Sequence, residues 1–156
     1  MSATRTGRRT PNRQELEVWR AFVETTEAVR TELGRRLQSD TGLSPGDYVV
    51  LLGLSEAPGH RLRSSDLASE IGWERSRLSH HLARMERRGL ISREDCATDS
   101  RGAEIVLTDA GAAAFRASIS PHFRAIRELF VDALTPDQLV AAGEIARALQ
   151  ARLDRS

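Results

Sequence analysis

Gly72 separates two amphipathic segments, a short one over Leu67 to Ile71 and a longer one closing at Gly89, and this pairing restricts the fold more than any other feature. In the second segment Leu78, Leu82 and Met85 recur at a spacing of four then three, which aligns them along one side of an α-helix. The far side carries Ser76, Arg77, His80, Ala83, Arg84 and Arg87, rich in donors and positive charge. Two short helices joined at a glycine, the second apolar inside and basic outside, form a helix-turn-helix pattern. Gly89 at the end of SRLSHHLARMERRGL is suited to a left-handed helix cap.

The chain of 156 residues has the size of a single domain that buries its core without disulfides or metal. Its net charge is +1, so an electrostatic argument rests on where the charges lie. Residues 1–13 hold four arginines and no acid, and residues 73–93 hold six arginines against Glu74 and Glu86. All 23 basic residues are arginine, a compositional bias that says nothing by itself about nucleic acid. The single cysteine, Cys96, excludes an internal disulfide framework and a multi-cysteine zinc site, and fits a reducing cytoplasm. No run approaches the ~20 apolar residues of a membrane span, and the arginine-rich start lacks a secretory apolar core, so a cytoplasmic protein with no membrane partner is expected.

Residues 1–11 are expected to be a disordered basic arm, and a long first helix follows to about Gln38. Ser44-Pro45-Gly46-Asp47 predicts a helix start, with serine at the cap, proline at the first helical position and an acid three residues after the cap. That helix stops at Pro58-Gly59, and His60–Arg63 is read as an extended connector. After the helix-turn-helix, residues 90–93 and 103–107 are β-prone and flank a polar stretch, which predicts a hairpin with a long tip. Thr108 caps an alanine-rich helix to about Ala133 that Pro121 is expected to bend, and Thr135-Pro136-Asp137-Gln138 opens a last helix to about Leu153. The expected fold is mostly α with a small β-hairpin wing.

A helix about 10–12 Å wide fits the major groove of B-DNA, where base edges present a readable pattern of donors and acceptors. The hairpin follows the basic helix directly, so its tip lies along the same duplex. Arg101 there is the candidate for entry into the minor groove, and Asp99 a structural partner that steadies the arginine or the turn. Ser76, Arg77, His80 and Arg84 are the candidate contacts on the helix, with Arg75 and Ser79 on its flank. Ser64 and Ser65, at a helix start, either hold a phosphate or cap the helix. Arg87, Arg88 and Arg93 are expected to be backbone contacts or surface charge, and Trp73 to point outward at the helix start, with core packing preferred for it over DNA contact.

The order of helices, RMERRGLISRED, then TDSRGAEIVLTDAG and two closing helices, resembles the MarR (multiple antibiotic resistance regulator) family of bacterial transcription factors from about Leu16 to Leu153. The wing departs from the family pattern. It has Asp99-Ser100-Arg101-Gly102 where many members carry two adjacent arginines. The resemblance implies one domain over residues 12–156, with helical dimerisation elements at 12–40 and 109–154 and a winged helix-turn-helix lobe at 44–108. It further implies a homodimer on a palindromic double-stranded DNA operator, most often as a repressor, released by a small aromatic effector. Trp19, Tyr48 and His122 are the candidate effector-pocket residues, against the simpler reading that they are core.

G-x-S-x-G, P-loop and Rossmann patterns are missing, so no enzyme and no cofactor is expected. His80 and His81 are adjacent and point apart, unlike a helical metal pair, so no metal site is expected. The alternatives that stay open are a winged-helix module that binds protein instead of DNA, and a metal-responsive regulator.

Overall fold

The computed structural model describes residues 10–95 and 102–155. Helix α1 (Arg13–Thr41) opens with a reciprocal cap that the sequence reading missed. The Glu15 N–H donates to Asn12 Oδ1 at 2.8 Å and the Asn12 N–H donates to Glu15 Oε2 at 2.9 Å. The chain divides into two units between Glu32 and Leu33, so α1 contributes to both. In the first unit Leu16, Val18, Trp19, Phe22 and Val23 are exposed along the helix.

The second unit is built on α2 (Pro45–Glu56), β1 (Arg61–Arg63), α3 (Ser64–Ile71), α4 (Arg75–Arg87), β2 (Ile91–Asp95), β3 (Ala103–Leu107), α5 (Asp109–Ile126) and α6 (Pro136–Leu153). Ser44 caps α2 as expected, with Asp47 returning the bond to the Ser44 N–H, and Thr135 and Gln138 do the same for α6. Gly72 ends α3 at φ 68° and Gly89 follows α4 at φ 74°, left-handed conformations that admit glycine freely. Thr108 caps α5 by accepting from the Gly111 N–H and also donates to the Gly89 carbonyl at 2.6 Å, joining the end of α4 to the start of α5.

Three expectations are corrected. The connector at 61–63 is a strand, because β1 pairs antiparallel with β3 (Arg61 opposite Val106) and makes a three-stranded sheet in the order β1-β3-β2. Helix α4 starts at Arg75, two residues after the expected start at about Trp73, with Glu74 at its cap. Helix α5, with Pro121 inside it, ends at Ile126 short of the expected Ala133, and Arg127–Val131 form a π turn closed by the Asp132 N–H on the Arg127 carbonyl at 2.8 Å.

The core gathers Val50, Leu51 and Leu54 of α2, Leu67 and Ala68 of α3, the Leu78-Leu82-Met85 stripe of α4, Ile91, Ile105 and Phe115. Each such leucine removed from water contributes about 1.5–3 kcal/mol. The stripe is wholly buried, so α4 has one inner side and leaves the opposite side free. Phe115 and Ile119 of α5 belong to this core, while Phe123, Phe130 and the α6 residues Leu139, Val140, Ile145, Leu149 and Leu153 stay exposed. No helix among the described residues is long and apolar enough to cross a membrane.

Candidate nucleic-acid interface

Burial of the α4 stripe turns Ser76, Arg77, His80 and Arg84 outward together, with Arg75 and Ser79 exposed on the flank. The basic side read from the sequence is therefore a real surface. Trp73 takes the core packing preferred for it over DNA contact. It is half-buried, packs against the core, and meets the His81 ring edge-on at a centroid distance of 5.3 Å. Its other role is to carry Arg77, whose guanidinium carbon lies 3.9 Å from the ring centroid, a cation–π geometry that limits where the arginine can point.

Under this surface lies a polar cluster that sequence reasoning missed. Asp47, only 2% exposed, accepts at one carboxylate oxygen from Arg88 Nη1 at 2.6 Å and from the Ser44 N–H at 2.9 Å. Its other oxygen lies 3.0 Å from His81 Nε2. Burial alone would push the Asp47 carboxyl up. The hydrogen bonds from His81, Arg88 and the Ser44 N–H, with the Arg88 charge, outweigh it and hold the group well below the usual carboxylate range. Arg88 also donates to the Gly42 carbonyl at 2.8 Å, so this exposed arginine is also a structural brace. The one available signal was the capping acid of Ser44-Pro45-Gly46-Asp47, which identifies a helix start but not the partners reached 34 and 41 residues later.

On the other flank of α4 a cleft of about 360 Å³ is lined by Arg63, Ser64, Ser65, Arg75, Ser79 and Arg93, among others. Neither serine is the α3 cap. That position is Arg63, which makes no side-chain cap hydrogen bond among the described residues. Arg93 was expected to be backbone contact or surface charge. It donates to the Ser79 carbonyl at 2.9 Å and so ties β2 to α4. Arg63 and Arg93 thus stand beside Arg75 along the cleft. Arg101, Asp99 and Cys96 lie outside the described residues.

Of the candidate effector residues, Tyr48 and His122 come together. Their ring centroids are 4.6 Å apart, and Phe115 is 5.3 Å from Tyr48. Burial pushes His122 down toward its neutral form, and burial followed by the Glu56 charge pushes the Tyr48 hydroxyl up. His122 Nδ1 is buried without a hydrogen-bond partner among the described residues. Trp19 is 61% exposed on the part of α1 that belongs to the other unit. No group of three or more His, Cys, Asp or Glu arranged to hold a metal occurs among the described residues.

The sequence profile of the MarR family matches residues 41–102, the span from the end of α1 to the start of β3. Among solved structures, AbsC of Streptomyces coelicolor, a MarR family transcriptional regulator, is similar at 34% identity and a TM-score of 0.84 over 96% of this chain and 100% of that one. Sco3205 of the same organism, a MarR family transcriptional regulator solved in complex with DNA, is similar at 39% identity and a TM-score of 0.84 over 93% and 91%. The transcriptional repressor MprA of Escherichia coli K12 is 25% identical over 73% of this chain, a match that spans 64% of the repressor's length. Winged-helix architecture, the outward basic side of α4 and near full-length similarity to two such regulators agree: the chain belongs to the MarR family.

Proposed function

We propose that the protein is a sequence-specific DNA-binding transcriptional regulator that acts as a homodimer on a palindromic operator. The observation that carries this reading is the recognition helix itself. Leu78, Leu82 and Met85 are buried while Ser76, Arg77, His80 and Arg84 face solvent beside a cleft bordered by Arg63, Arg75 and Arg93. Base edges are reached from the outer side of α4, and the cleft takes the phosphate backbone next to it. The exposed apolar residues of α6 support a second copy as partner, and a two-fold pair sets recognition helices about 34–36 Å apart, one turn of DNA. Repression is favoured by the name of the E. coli relative, a transcriptional repressor.

The effector is read as a small aromatic acid bound beside Tyr48 and His122, where the unpartnered Nδ1 accepts a hydrogen bond from it. Such a ligand releases DNA only by binding the non-operator geometry more tightly than the operator geometry. The test begins with fragments of the source genome captured by the purified protein and footprinted. A short protected palindrome supports the reading, and capture of no duplex at low salt contradicts it. Adding hydroxybenzoates to that complex tests the effector: release from wild type but not from His122→Ala is expected, and equal behaviour of the two proteins removes the site.

A further inference from the structure

We propose that Asp47 and His81 are positioning residues for DNA recognition, holding the Arg84 guanidinium in place on the outward side of α4; the proposal rests on the DNA-binding reading above. Asp47 is an ionised acceptor, so the 3.0 Å contact with His81 requires a proton on Nε2. Arg84 has only donors, and its Nη2 lies 3.0 Å from His81 Nδ1, which requires a lone pair on Nδ1. Both demands are met by one species, the neutral imidazole with its hydrogen on Nε2. A buried carboxylate on α2 therefore selects the tautomer that presents an acceptor to an arginine on the DNA-facing surface.

Two neighbours pack against the ring. A Cβ at Gly46 would lie 2.7 Å from His81 Cε1 and 2.9 Å from Trp73 Cη2, so α2 touches the imidazole with a residue that has no side chain. Trp73 meets it edge-on. The charged groups facing His81 are Asp47 from α2 and Arg84 from its own helix, with Arg88 behind Asp47 and Arg77 across Trp73. Arg84 is 37 residues from Asp47 in sequence, yet its direction is set through one ring. A guanidinium held this way meets a phosphate with less rotamer freedom to lose, and backbone contacts of this kind set the register of the helix on the duplex.

The test uses the full chain, a duplex enriched from a random-sequence pool by the wild-type protein, and His81→Gln. The glutamine amide stands where Nε2 stood and keeps a donor for Asp47, but nothing replaces Nδ1. We expect an unchanged melting temperature, a loss of affinity of about five- to tenfold, and almost no additional loss when Arg84→Ala is added to His81→Gln. Ring 15N shifts of His81 in the free wild-type protein should show Nε2 protonated and Nδ1 bare at neutral pH. A proton on Nδ1, wild-type affinity in His81→Gln, or losses that multiply in the double variant would each overturn the proposal while leaving DNA binding intact. Failure of the wild type to enrich any duplex, read before the variants are made, would overturn the DNA-binding reading and this role with it.

Discussion

Asp47 performs two jobs that are usually separate, capping α2 and anchoring Arg88 and His81 from the other end of the helix-turn-helix. Removing one partner of a buried ionic cluster leaves the others uncompensated, so Asp47→Ala should destabilise the fold by about 3 kcal/mol, measured by urea denaturation. An effect as small as that of a surface cap would contradict the cluster's importance. Because the folded-state pKa is depressed, this stabilisation is fully present above the ordinary value of 3.8 and is lost as pH falls below it. Wild type should therefore lose stability between mildly and strongly acid solution more steeply than Asp47→Asn, as two pH series of melting temperatures would show. On the DNA side, Arg77→Ala and His80→Ala should weaken binding to the selected sequence more than to random duplex, whereas Arg84→Ala weakens both. Equal losses on both duplexes for all three would refute the division into base and backbone contacts.

At the level of elements, α4 was legible from its residues because one buried stripe and one charged side have a period that local sequence displays. The caps of α2, α5 and α6 were legible for the same reason, since each is written within four residues. What escaped was non-local. Strand β1 is three residues long and exists only by pairing with β3, where Arg61 lies opposite Val106 and Arg63 opposite Glu104, and Arg61 adds a charge pair with Glu104 at 3.1 Å. The Asp47 cluster likewise depends on a meeting of α2 and α4 that no periodicity encodes. Arg93 belongs with these, since its bond to Ser79 crosses from β2 to α4. The cleft between these elements makes a separate prediction. Arg93→Ala or Arg75→Ala should lower affinity for all duplexes alike and reduce the salt dependence of binding by about one counterion each. An unchanged slope would place the cleft away from the backbone.

For the whole molecule, the exposed apolar residues of α6 are a feature that a single copy leaves unexplained. Leu149 is 52% exposed and Leu153 68% exposed on a well-formed amphipathic helix. If a second copy covers them, Leu149→Glu should yield a folded monomer by sedimentation, with operator affinity reduced at least a hundredfold because one lobe loses the help of the other. A dimeric Leu149→Glu protein would move the interface elsewhere. The measurement that reaches the central claim most directly is titration of the enriched duplex with wild-type protein across a salt series, with stoichiometry determined at saturation. Two chains per duplex and a steep linear fall of log affinity with log salt are predicted; binding by a single chain, or none even at the lowest salt, would contradict the account.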